Sequence, residues 1–118
     1  MRFLPVQMLS APDTGNAVGA AIDSNQAVSG SFCPIFGDTA ATGTVKIQCS
    51  NDSAGPSGYR NTFVPTNWSD IPNATSTIAA GVGPAIVIPN MAFGYIRAVF
   101  TGSGGSTTII VNATLLSI

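Results

Sequence analysis

No histidine and no glutamate occur anywhere in this chain, and its 118 residues carry only four Lys/Arg and five Asp. Without histidine the usual proton carrier near neutral pH is absent, so neither a Ser-His-Asp nor a Cys-His nucleophile can be assembled. The composition therefore predicts a protein that is not an enzyme. Charged residues make up 8% of the chain, where an average soluble domain carries about 25%. The surface must then be kept in water by Ser, Thr, Asn, Gln and backbone, which suits a surface used for contact.

Other scarcities exclude further classes. The four cations, Arg2, Lys46, Arg60 and Arg97, are scattered, and the net charge of -1 cannot supply the basic face that phosphate binding draws on, so nucleic acid is excluded as a partner. No apolar run approaches the roughly 18 to 20 residues of a membrane-spanning helix, and no membrane partner is expected. Pro5 and Gln7 interrupt the apolar core that an export signal would need, and the reading is of a protein made in the cytoplasm. The four Asn-x-Ser/Thr triplets at Asn51, Asn67, Asn73 and Asn112 are accordingly read as composition. Two cysteines, Cys33 and Cys49, with no histidine beside them fall short of a tetrahedral metal site, and two reduced, buried thiols are expected. The Gly/Ser run at residues 102–106 lacks the helix and lysine of a phosphate cradle, so no cofactor is implied.

What the chain does have is turn residues at short intervals, 13 Gly and 8 Pro, with β-branched or alternating runs between them. Residues 44–50 alternate cleanly, with Val45, Ile47 and Cys49 on one side and Thr44, Lys46, Gln48 and Ser50 on the other. Residues 94–101 repeat the pattern, placing Ile96, Ala98 and Phe100 inward and Tyr95, Arg97, Val99 and Thr101 outward. Residues 107–118 form a long strand that pairs with this one as a C-terminal hairpin. A strand over 28–36 is weakened by Gly30 and Pro34 and turns into the strand at 44, which brings Cys33 and Cys49 within reach across the pair. Residues 3–9, 17–22, 76–80 and 85–88 are weaker strands. The sum is a single all-β domain over residues 1–118, an antiparallel β-sandwich of jelly-roll type with seven or eight short strands, in which residues 1–26 form an N-terminal arm or edge strands.

The longest irregular stretch, 51–72, is the first place to look for function. Its Tyr59 and Arg60 read as exposed partner-binding residues. Trp68 has two readings: recognition, by stacking on a sugar ring or anchoring an interface, or packing with Ile71 at the open end of the core, which is the expected one. Arg97, a cation in mid-strand, calls for either a cross-strand Asp or an intersubunit ion pair. The five Asp, at 13, 23, 38, 52 and 70, each lie beside small or turn-forming residues and are read as hydrogen-bonding turn backbone.

The order of these pieces, GTVKIQCSND at 43–52, NWSDI at 67–71, GYIRAVFT at 94–101, a Gly/Ser loop and then TTIIV at 107–111, resembles small β-sandwich virion proteins of tailed bacteriophages, covering about the last 75 residues. The resemblance implies a capsid-associated decoration or auxiliary protein, located in the virion. It would assemble with its own copies, a homotrimer being the guess, and bind the major capsid protein or another virion protein. The alternative is a receptor- or carbohydrate-binding module of a tail or neck fibre, with a glycan as partner through Tyr59 and Trp68.

Overall fold

The computed structural model describes residues 2–12, 15–24, 27–37, 40–53, 63–104 and 108–117. These form two antiparallel sheets packed face to face, the β-sandwich that the alternating runs predict. The described residues form nine strands: β1 (Arg2–Pro12), β2 (Ala17–Val18), β3 (Ile22–Asp23), β4 (Ala27–Phe36), β5 (Thr42–Ser50), β6 (Ser69–Ile78), β7 (Ile86–Ile88), β8 (Tyr95–Gly104) and β9 (Thr108–Ser117). The first sheet runs β1-β9-β4-β7. The second runs β2-β8-β5-β6, with β3 also pairing β8. Two very short pieces, β2 and β3, take the place of the single strand expected at 17–22, and β1 and β2 are edge strands of their sheets.

The alternation seen in the sequence becomes the core. Phe32, Ile109 and Val111 from the first sheet face Val45, Ile47, Ile96, Ala98 and Phe100 from the second, all fully buried. Each such Val, Ile or Phe contributes about 1.5–3 kcal/mol relative to exposure, so these rows fix which side of each strand is inside. A one-residue slip would turn a whole row outward.

Two expected pairings are not those observed. The strands at 94–101 and 107–118 do not form a hairpin: β8 lies in the second sheet and β9 in the centre of the first, between β1 and β4. Likewise β4 and β5 belong to different sheets, so Cys33 and Cys49 are not neighbours across a strand pair. The physical reason is the same in both cases. Each strand carries buried apolar side chains of its own, Phe32 on β4 included, and such side chains bury each other best when the two sheets stack face to face. Among the described strands, only the link from β5 to β6 joins successive strands that are hydrogen-bonded neighbours.

Three local expectations also change. Residues 69–72, expected in the loop, begin β6. That strand bulges: Lys46 pairs with Thr75 and Gln48 with Asp70, leaving 71–74 opposite Ile47 alone. Pro72, which has no N–H to give, and Asn73, with φ of 63°, occupy the bulge, while Ile71 and Ala74 turn into the core. Tyr95 is buried rather than outward, its ring against Phe63 with centroids 5.8 Å apart. Cys33 is exposed, because odd-numbered residues of β4 from Ser29 onward face outward; Cys49 is half-buried, and both thiols are free.

Candidate functional site

The two outer faces of the sandwich differ in chemistry. On the second sheet, register sets Gln48 directly between Arg97 on β8 and Asp70 on β6. The Gln48 amide uses both ends: its Nε2 donates to Asp70 Oδ1 at 2.8 Å, and its Oε1 accepts from Arg97 Nε at 2.8 Å. Lys46, two residues along the same face, donates from Nζ to Asp70 Oδ2 at 3.2 Å. Arg97 is covered on one face by the indole of Trp68, its guanidinium carbon 4.4 Å from the ring centroid. The indole N–H donates to the Pro65 carbonyl at 3.3 Å, which ties the ring to the segment leading into β6. The result is a continuous row, Trp68 on Arg97, then Gln48, Asp70 and Lys46.

Below this row a second carboxylate holds the entry to β6. Asp52 accepts from the backbone N–H groups of Thr66 at 2.8 Å and Asn67 at 2.9 Å, and from the Asn67 side-chain amide at 3.1 Å. Asn51 beside it accepts from the Gly94 N–H at 2.9 Å, at the start of β8. Both carboxyls are held below their ordinary range, Asp52 by hydrogen bonds from the Asn67 and Thr66 backbone and Asp70 by hydrogen bonds from Gln48 and Lys46. Partial burial lowers the Arg97 pKa from its usual value and raises that of the Cys49 thiol.

Among the described residues, the outer face of the first sheet carries no ionised side chain in its outward rows. Phe3 on β1, Leu116 and Thr114 on β9, Ser29 and Ser31 on β4 and Val87 on β7 line a groove of about 360 Å³. Phe3 is 73% exposed and Val87 65%. Further along, Gln7, Asn112 and Cys33 stand side by side, and then Ser10, Ile110 and Ile35.

Of the partner-binding residues expected from sequence, the structure brings together Trp68 and Arg97, while Tyr59 and Arg60 lie outside the described residues. Trp68 is not a core side chain packed with Ile71. It is half-buried on the outside of the sheet, because the Asp52 clasp and the Pro65 carbonyl direct its ring over Arg97. Among the described residues Arg97 meets no Asp directly, and it reaches Asp70 through Gln48. Asp52 bonds turn backbone as expected, whereas Asp70 sits in β6 as an ion-pair partner and Asp23 in β3; Asp13 and Asp38 are outside the described residues. The sequence reading missed Gln48, Asp70 and Lys46 as members of one row. The alternation at 44–50 had placed Lys46 and Gln48 on the wet face, but the neighbour order β8-β5-β6 that joins them to Arg97 and Asp70 is not a local property.

Among the described residues no three His, Cys, Asp or Glu side chains converge as metal ligands would, and no helix is long and apolar enough to cross a membrane. The fold defines an antiparallel two-sheet sandwich, and it has a solved counterpart. The SPBc2 prophage-derived protein YomS superposes with a TM-score of 0.57 over 98% of this chain and 94% of that one, at 8% sequence identity. A looser alignment, TM-score 0.35 at 12% identity, covers 97% of this chain and 26% of the capsular polysaccharide assembling protein CapF from Staphylococcus aureus. No protein-family model matches the chain, and no curated protein is significantly similar to it in sequence.

Proposed function

We propose that this chain is a non-enzymatic structural protein of a tailed-phage particle, a decoration or auxiliary subunit that binds the virion and self-associates through the outer face of its β1-β9-β4-β7 sheet. The observation that carries this reading is the uncharged, partly apolar character of that face, with Phe3, Val87 and Leu116 set among Ser and Thr. Packed against a second copy of this chain, a face without ions brings no like charges into opposition and no charge to desolvate, which favours such a copy as its occupant. Apolar side chains this exposed and this close together are the usual mark of a protein contact. The shared fold with a prophage-derived protein agrees with a phage setting.

The test is light scattering of the purified protein at micromolar concentration, for the wild type and for Leu116→Lys with Thr114→Lys. The proposal expects a defined oligomer, a trimer, that becomes monomeric in the double variant while its circular dichroism is unchanged. A wild-type protein that stays monomeric, or a variant that assembles normally, would overturn it. Attachment to the particle is then read by adding wild type and variant to virions lacking the protein and measuring what co-sediments.

A further inference from the structure

The charged row lies on the sheet opposite the proposed assembly face, and three of the chain's few charges, Lys46, Asp70 and Arg97, are gathered there. Arg97 spends only its Nε on Gln48, and one face of its guanidinium rests on Trp68. Its two terminal amino groups have no hydrogen-bond acceptor among the described residues. A guanidinium held flat by an indole and steered by an amide is a fixed fork, and a fork of two parallel N–H groups matches a carboxylate or phosphate oxygen pair. Because ring and amide already fix its plane, little conformational freedom remains to be lost on binding.

The surroundings narrow the ligand. Lys46 adds a second cation against the single carboxylate of Asp70, so the row is locally positive on a chain whose net charge is -1. Next to it the outward positions of β8, β5 and β6 bring three threonines abreast, Thr101, Thr44 and Thr77, with Thr75 beside Lys46. Threonine hydroxyls both donate and accept, as sugar hydroxyls do. Trp68 supplies an aromatic edge at the end of the row. Two cations are too few to track a nucleic-acid backbone, whose affinity comes from neutralising many phosphates.

We propose that Arg97, Trp68 and Lys46 form a subsite for an acidic saccharide, in which the Arg97 fork takes the oxyanion and the neighbouring threonines meet the sugar hydroxyls. This site lies across the sandwich from the groove at Phe3 and Val87, so it stands or falls independently of self-association.

Trp68 is the chain's single tryptophan, so its fluorescence reports the site directly. The probes are a galacturonate trimer for the carboxylate form, galactose 6-phosphate for the phosphate form, the neutral galactose trimer and a short oligothymidylate. A saturable change in emission with the uronate or the sugar phosphate is expected, and which of the two binds more tightly identifies the oxyanion. Arg97→Lys, which keeps the charge and loses the fork, should weaken that binding at least about tenfold, and Lys46→Gln should weaken it less while leaving the fold intact by circular dichroism. The proposal is overturned if neither anionic sugar gives a saturable change, if the neutral trimer binds as tightly, if Arg97→Lys binds as the wild type does, or if the oligothymidylate binds more tightly than both sugars.

Discussion

Trp68 shows how much a single side chain's role depends on where its neighbours carry it. Placed over a guanidinium on the outside of a sheet rather than in the core, it should contribute on the scale of a partly exposed cation–π contact, about 0.5–2 kcal/mol, and not the 3–5 kcal/mol that removing a core aromatic costs. Urea unfolding of Trp68→Ala followed by circular dichroism should therefore show a modest loss; a loss at the core scale would mean that the indole is buried more deeply than its position over Arg97 implies. The two thiols differ in the same way. Cys33 faces solvent, while Cys49 is half-buried with its thiol pushed up by desolvation. Only the thiolate is alkylated at a useful rate, so iodoacetamide at pH 8 should modify the exposed Cys33 before the half-buried Cys49, and modification of Cys49 should quicken as the pH is raised to 9.5. Equal rates at the two positions would contradict the burial difference.

At the scale of elements, the Asp52 clasp and the β5–β6 bulge decide where β6 begins. Both Asp52 and Asp70 have folded-state pKa values below their ordinary ones. The sign follows from linkage: stability gained from a depressed carboxyl is present above the unfolded pKa, near 4, and is lost as the pH falls through the lower folded value. Thermal unfolding should thus be nearly flat from pH 7 to 5 and fall below about pH 4. Asp52→Asn should lower the melting temperature at pH 7 and flatten that acid limb; an acid limb identical to the wild type's would remove Asp52 from the account.

Elements are also where the sequence was most and least informative. Strands β5, β8 and β9 were legible because each alternates buried apolar residues with outward ones at a period of two, and Val45, Ile47, Ile96, Ala98 and Phe100 all fell on the expected side. Their partners were not legible. Period-two alternation says which face is buried but not which strand lies alongside, so β8 and β9 read as a hairpin although they belong to different sheets. Three of the five members of the charged row were visible as single outward residues, Lys46, Gln48 and Arg97, and the row itself only after β8, β5 and β6 were set side by side. The bulge at 71–74 hid the start of β6 for a similar reason: Pro72 and Asn73 break the alternation that marks a strand.

For the whole molecule, the separation of charge between the two outer faces carries a further test of assembly. Contacts across an uncharged face involve no ion pairs to screen, so the oligomer expected through Phe3, Val87 and Leu116 should survive a rise from 0.1 to 1 M NaCl and loosen instead on cooling, as apolar association weakens. Sedimentation velocity across both series would show it, and dissociation by salt would point to the charged row as the interface.

The central place of β9 in its sheet has a consequence in time. It pairs with β1 along nearly its whole length, Arg2 against Ser117 through Pro12 against Thr108, and with β4 on its other side. A ribosome makes β1 and β4 long before β9, so for most of synthesis these two strands have no neighbour in the place that β9 will fill, and their apolar rows wait uncovered. The first sheet closes only after residues 108–117 have left the exit tunnel, which makes folding an event that follows synthesis of the domain rather than one that accompanies it. Nascent chains arrested before residue 108 should accordingly be cut by protease in β1 and β4, and should gain protection in a single step once β9 has emerged.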